Sequence, residues 1–189
     1  MVFQAPSKPM TFDEFIAFAL LPENAERNFE FIGGEIIEVV SNNKASEIAG
    51  VFAGELYTFV RPRKLGRVTV ADGGYTIVGE QYIPDCAFIS YRRQPKTSTE
   101  AYPNVAPELV IEVLSPGNLN SADERDKITH KVANYLAAGC DVWLVHPDKQ
   151  IVEVYIAGEP VRTFRNGDIL EGRGILEGFK LAVSDLWPQ

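Results

Sequence analysis

Two acidic residues stand where acids are rarely tolerated. Asp85 follows Pro84 and opens the apolar run Cys86-Ala87-Phe88-Ile89, and Glu112 sits inside Leu109-Val110-Ile111-Glu112-Val113-Leu114. Both runs have the length and composition of short buried strands. A carboxylate inside such a strand costs free energy unless it is paired, hydrogen-bonded or bound to a cation. Either acid alone also fits a strand end that touches water, and Glu112 also fits a partner for a nearby Lys or Arg. The pair, with a helical lysine downstream, points to a shared metal site. Oxygen ligands on rigid strands suit Mg²⁺, which takes one or two carboxylates together with substrate phosphate. Such an ion activates water and stabilises charge in a phosphodiester displacement. The lysine is Lys131, beside the apolar stripe Ile128, Val132, Tyr135 and Leu136. Its ammonium can reach inward to a phosphate oxygen or a metal-bound water. It can equally lay its stem on the core and keep its head in solvent, the commoner use of a lysine. Lys127, one turn earlier, is a weaker candidate of the same kind.

The elements that must position these groups follow from periodicity. Thr11 and Glu14 form a capping box before the stripe Phe12, Phe15, Ile16 and Ala19, which predicts a short helix ending before Pro22. Runs 28–32 and 35–40 around Gly33-Gly34 read as a β-hairpin. Ser41-Asn42-Asn43 can cap a helix over about 44–60, with Ile48, Val51, Phe52, Leu56 and Phe59 inward. Strands are expected at 67–70 and 74–78 with Asp72-Gly73-Gly74 as the turn between them, then at 85–89 and 108–114. In an extended 108–114, Glu108, Val110, Glu112 and Leu114 share one face. A helix over 123–138 stops at Gly139, and strands at 142–145 and 151–156 flank a His146-Pro147-Asp148 turn. Strands, one helix, then strands predict an α/β protein with a mixed central sheet flanked by helices. Residues 1–189 read as one domain that includes the N-terminal helix and hairpin, with the strands from about 150 as a C-terminal extension.

Composition narrows the partners. The net charge of −8 argues against a general nucleic-acid coat protein, whose affinity comes from many Lys and Arg contacts to phosphate. It leaves room for an enzyme that meets a polyanion at a local patch. The basic residues cluster at Arg61-Pro62-Arg63-Lys64 with Arg67, and at Arg92-Arg93 with Lys96. Arg92 and Arg93 follow directly on the strand that Asp85 opens, so they are expected to flank the opening above the acids and to contact phosphate. No window approaches the roughly 18 apolar residues of a membrane span. Met1–Pro9 lacks the pattern of a secretory leader, so a cytoplasmic location is expected. Cys86 and Cys140 read as reduced core residues.

Four stretches carry a resemblance: Phe29-Glu30-Phe31-Ile32-Gly33-Gly34-Glu35-Ile36, Pro84 to Ile89, Pro107 to Pro116, and Lys131 to Gly139 followed by Val142-Trp143-Leu144-Val145. Their order and content, over about residues 11–157, resemble the bacterial Uma family of restriction-endonuclease-like proteins in the PD-(D/E)XK nuclease superfamily. The resemblance implies a restriction-endonuclease-like fold and a Mg²⁺- or Mn²⁺-dependent endonuclease. It implies that Asp85 and Glu112 bind the metal, that Lys131 is the catalytic lysine and that Glu30 completes the site. The chain departs from the usual pattern in three places. Leu114 stands where the superfamily lysine is common, Lys44-Ala45-Ser46-Glu47 where relatives carry a His, and His146 where they often have Asp. His146 is therefore read as a turn residue. Ile111 or Val113 can lend a backbone carbonyl to the metal. DNA is the expected partner of an active enzyme, and a homodimer is allowed. A catalytically inactive binding or regulatory module is the main alternative, and a hydrolase of small phosphorylated compounds is the third.

Overall fold

The computed structural model describes residues 10–39, 41–115 and 121–188. The expectations for Met1–Pro9, Val40 and Pro116–Asn118 lie outside those residues. The centre is a six-stranded sheet with order β10-β9-β8-β7-β6-β3. Its strands are β3 Gly66–Val70, β6 Cys86–Ser90, β7 Leu109–Val113, β8 Asp141–His146, β9 Ile151–Tyr155 and β10 Arg162–Arg165. Only β7 and β8 run parallel; the other neighbours are antiparallel. A parallel pair needs a crossover, and helix α3, Ala122–Ala137, supplies it. Ser121 caps that helix by accepting the Glu124 amide at 3.1 Å, and Asp123 and Glu124 complement the positive end of its dipole.

Each strand of the central sheet sorts its side chains by parity. Cys86, Phe88, Leu109, Ile111, Val113, Trp143 and Val145 pack with Ile48, Phe52 and Leu56 of helix α2, Asn43–Arg63. Ala87, Ile89, Val110 and Val142 pack with Val132 and Tyr135 of α3. Glu112 has the parity of Val110, and Asp85 that of Ala87. Both acids therefore belong to the α3 face.

A second sheet, order β2-β1-β5-β4, is built from β1 Phe29–Ile32, β2 Glu35–Glu38, β4 Tyr75–Ile77 and β5 Glu80–Tyr82. The predicted hairpin is present, with Phe29 opposite Glu38 and Ile32 opposite Glu35. Phe29 and Phe31 pack with Phe15 of helix α1, Phe12–Ala19, whereas Ile32 joins the α3-side core. Glu30, with the parity of Ile32, thus faces α3. The turn after β3 does not fold β3 onto β4. It hands the chain from the central sheet to the small one, where β4 pairs with β5. Strand β5 escapes a sequence reading because it is three residues long and begins Glu80-Gln81. The strands after residue 150 enter the central sheet through β9 and β10, and a further pair, β11 Ile169–Glu171 and β12 Lys180–Ala182, packs Leu170 and Leu181 into the α2-side core.

Candidate active site

Strand pairing brings the two acids together. The β6–β7 ladder sets Cys86 opposite Ile111 and Ala87 opposite Val110, so one further step sets Asp85 opposite Glu112. Side chains directly opposite on one face have Cβ atoms about 4.5–5.5 Å apart, and like charges there repel. Pro84 cannot donate to a ladder, so the strand stops at this point. The Val113 amide is instead taken by Asp85 Oδ2 at 2.7 Å. Leu114 turns its amide to Val145 on β8, so the peptide groups of Val113 turn the other way, toward Asp85. Of the two carbonyls left open by the sequence, Ile111 and Val113, only Val113 belongs to the residue that Asp85 holds.

The lysine arrives from the helix. Lys131 Nζ lies 2.7 Å from Glu30 Oε1 and 3.0 and 3.1 Å from the two oxygens of Glu112. All three side chains are about nine-tenths buried. Glu30 Oε1 also accepts the Ile83 amide at 2.7 Å, and Glu112 Oε1 accepts the Tyr135 hydroxyl at 2.8 Å. The Tyr82 ring lies 5.6 Å beneath the ammonium. A cavity of about 400 Å³ opens on Glu30, Asp85, Glu112 and Lys131, with Lys127 and Glu38 on its wall. Sequence reasoning thus placed Glu30, Asp85, Glu112 and Lys131 at one site, and the structure brings those four together.

Charge is unbalanced here. In the inner cluster three carboxylates, Glu30, Asp85 and Glu112, meet one ammonium, that of Lys131. Burial pushes the Glu112 carboxyl up to about 8, against the pull of Lys131 and with help from the charges of Glu30 and Asp85. Burial also raises Asp85, although the Val113 amide opposes it. Burial works against the Lys131 ammonium, but Glu112 and Glu30 outweigh it and hold the lysine above its ordinary value. One cation serves two carboxylates, and burial first, with the charges of Glu30 and Asp85 added, disfavours the ionised form of Glu112. Among the described residues no group of three or more His, Cys, Asp or Glu converges as a metal cage. Two oxygen-donor side chains, a surplus of negative charge and an adjoining cavity nevertheless fit Mg²⁺ or Mn²⁺. The first of these ions commonly binds through one or two carboxylates and keeps its waters.

Other expectations meet a different structure. Arg92 and Arg93 do not flank this cavity. They follow the far end of β6, about 20 Å along an extended strand from Asp85. Arg93 is moreover engaged with the Ala106 and Pro107 carbonyls at 3.0 and 2.8 Å, the Gly139 carbonyl at 3.0 Å and Glu108 at 3.3 Å. The cation on the cavity wall is Lys127, paired with Asp123 at 3.0 Å and Glu35 at 3.4 Å. His146 is not a turn residue. It ends β8 in a buried position, with Nε2 3.1 Å from Glu153. Two groups were missed. Tyr135 looks like a stripe residue, yet its hydroxyl reaches Glu112. Glu80 accepts the Gly33 amide at 2.8 Å, the Tyr82 hydroxyl and the Asn134 amide at 3.0 Å, so it ties the hairpin turn to α3. Asn134 one turn after His130, both reaching Glu80, is the only sequence trace of it.

No curated protein sequence matches the chain. A solved structure does: the crystal structure described as "a putative nuclease belonging to DUF820" from Anabaena variabilis. It is 27% identical, superimposes with a TM-score of 0.80, and the match covers 94% of this chain and 97% of that one. The profile of the Uma2 family, described as "Putative restriction endonuclease", matches residues 12–184, a span that holds the described strands of both sheets and Glu30, Asp85, Glu112 and Lys131. The chain belongs to the Uma2 family.

Proposed function

We propose that the chain is an endonuclease that hydrolyses phosphodiester bonds in DNA with Mg²⁺ or Mn²⁺ at the Glu112 cavity. The observation that carries this reading is the buried surplus of carboxylate over ammonium at a solvent-open cavity. Asp85 and Glu112 are the residues to hold the ion, with the Val113 carbonyl beside them. When bound, the ion lowers the pKa of a water and neutralises charge on the phosphate. The rest is the work of this chain. Tyr135 holds one Glu112 oxygen, and the Val113 amide holds one Asp85 oxygen, so each keeps an orientation before any ligand arrives. Lys131 is the donor placed to hydrogen-bond a phosphate oxygen or the attacking water, and Glu30 fixes where its ammonium sits. Glu30, whose Oε1 already accepts from Lys131 and the Ile83 amide, would be an accessory base of the site.

A second reading has a specific observation behind it. Lys131 already bridges Glu30 and Glu112, and the wall cation Lys127 is paired, which suits a module that keeps the fold without turnover. One experiment separates the two. Plasmid DNA is incubated with wild type and Asp85→Ala in Mg²⁺ or Mn²⁺, and melting temperatures are read with and without the ion. The expected result is ion-dependent nicking and an ion-induced rise in melting temperature for wild type, both lost in the variant. Equal ion-induced shifts in the two proteins remove Asp85 from the site, and an ion-induced shift without nicking favours the non-catalytic module.

A further inference from the structure

The protein carries eight more acids than bases, so a region with cations and no acid stands out. One lies where α2 ends. Tyr57, Arg61 and Lys64 follow one another at helical spacing and meet Arg67 of β3 and Tyr91 beyond β6 around a cavity of about 380 Å³. No carboxylate lines it. Arg61, Lys64 and Arg67 form no ion pair with a described residue, whereas Arg27, Lys44, Lys127 and Lys180 each do.

The groove also presents aromatic surface. Tyr57 is 50% exposed and Tyr91 43% exposed. A guanidinium sits by each ring, Arg61 at 5.5 Å from Tyr57 and Arg67 at 4.8 Å from Tyr91. Arg67 is fixed by the Gln94 and Pro95 carbonyls at 2.7 and 3.0 Å, so its ring contact is preorganised. Gly66 makes the floor tight. A Cβ there would lie 2.1 Å from the Ile89 carbonyl oxygen, so only glycine lets β3 approach β6 this closely.

Unpaired cations attract phosphate, and exposed tyrosine faces stack on bases whatever their sequence. Phosphate alone would be served by the cations. The tyrosines favour a ligand whose base faces are free, which a duplex does not offer. We propose that this groove binds single-stranded nucleic acid. It lies beside the end of β6 remote from Asp85 and is independent of the catalytic reading.

The test is fluorescence anisotropy of a labelled 16-nucleotide oligo-dT with the full chain, in EDTA and at low salt. Wild type binds, and a duplex of the same length binds more weakly. Replacing two exposed cations, Arg61→Ala with Lys64→Ala, weakens binding at least about tenfold. It lowers the slope of log affinity against log salt by about 1.4, roughly 0.7 for each phosphate no longer neutralised. Tyr57→Ala weakens binding between about fivefold and a hundredfold with the slope retained, because stacking carries no counterion release. Lys180→Ala, which removes an exposed cation paired with Glu171 outside both cavities, binds as wild type, and EDTA withholds the ion that the nuclease reading needs, which keeps the two proposals separate. Circular dichroism checks that each variant is folded. No binding of the single strand by wild type overturns the proposal. Unchanged binding in both groove variants does so too, as does equal affinity for the duplex or for anionic lipid vesicles.

Discussion

Glu108, just before β7, and Glu112 within it lie four positions apart, yet their surroundings are opposite in kind. Glu108 receives the Ser90 amide at 2.9 Å, the Ser90 hydroxyl at 2.5 Å and the Arg93 guanidinium at 3.3 Å. Arg93 is itself anchored to three backbone carbonyls. This acid is a brace that joins β6, β7 and the turn after α3. Glu112 shares its one cation with Glu30 and sits opposite a third carboxylate at a cavity. Burial and ion pairing alone do not mark a functional acid. The ratio of acids to cations around it does, together with an opening through which a further cation can arrive.

The largest expected effect removes the shared cation. Lys131→Met leaves Glu30 and Glu112 buried without a counter-charge, a change that costs about 3–5 kcal/mol. Urea unfolding in EDTA and in Mn²⁺ reads it. Mn²⁺ is expected to restore more stability to the variant than it adds to wild type. A loss below about 1 kcal/mol would mean that the ammonium does not balance the cluster, and the contrast with Glu108 would collapse.

The matching change at the other end is smaller and should ignore metal. Arg93→Ala removes a charged hydrogen-bond donor from a partly exposed site, worth about 1–3 kcal/mol. If Mn²⁺ stabilises this variant more than wild type, the brace end also takes a cation, and the two acids are not different in kind.

The gentlest probe is pH. The Glu112 carboxyl is lifted from its ordinary 4.5 to about 8. A carboxyl held above its unfolded value contributes stability that is fully present below about 4.5 and is lost as pH rises through about 8. Metal-free wild type is therefore expected to lose stability across that window, and Glu112→Gln to flatten the slope. Parallel profiles for the two proteins would show that the surplus charge resides elsewhere.

How much of this was legible follows from what each residue interacts with. Asp85 and Glu112 betray themselves because an acid inside an apolar run is locally anomalous. Helices α1, α2 and α3 are legible for the same local reason, through caps and stripes. Lys131 is less so: its place beside an apolar stripe makes it a candidate, but a lysine there commonly reaches solvent, and the resemblance to Uma proteins is what favoured the inward reading. The split into two sheets is invisible because β3 and β4 are adjacent in sequence but join different sheets, β3 pairing with β6 and β4 with β5. Arg92 and Arg93 mislead for the converse reason. Nearness in sequence to Asp85 becomes the full length of a strand once β6 is extended.

The Glu30–Lys131 contact spans 101 residues of chain. Glu30 comes from the small sheet, Asp85 and Glu112 from the central one, and Lys131 from the crossover helix. Contacts this distant in sequence close the largest loops, so they are late and entropically costly events in folding. The cavity therefore exists only after the hairpin, the central sheet and α3 have all docked. A chain with both sheets formed and α3 undocked keeps most of its strand content but has no assembled site. Assembly of the Glu30–Lys131–Glu112 cluster is thus a stricter report on completed folding than any measure of secondary structure.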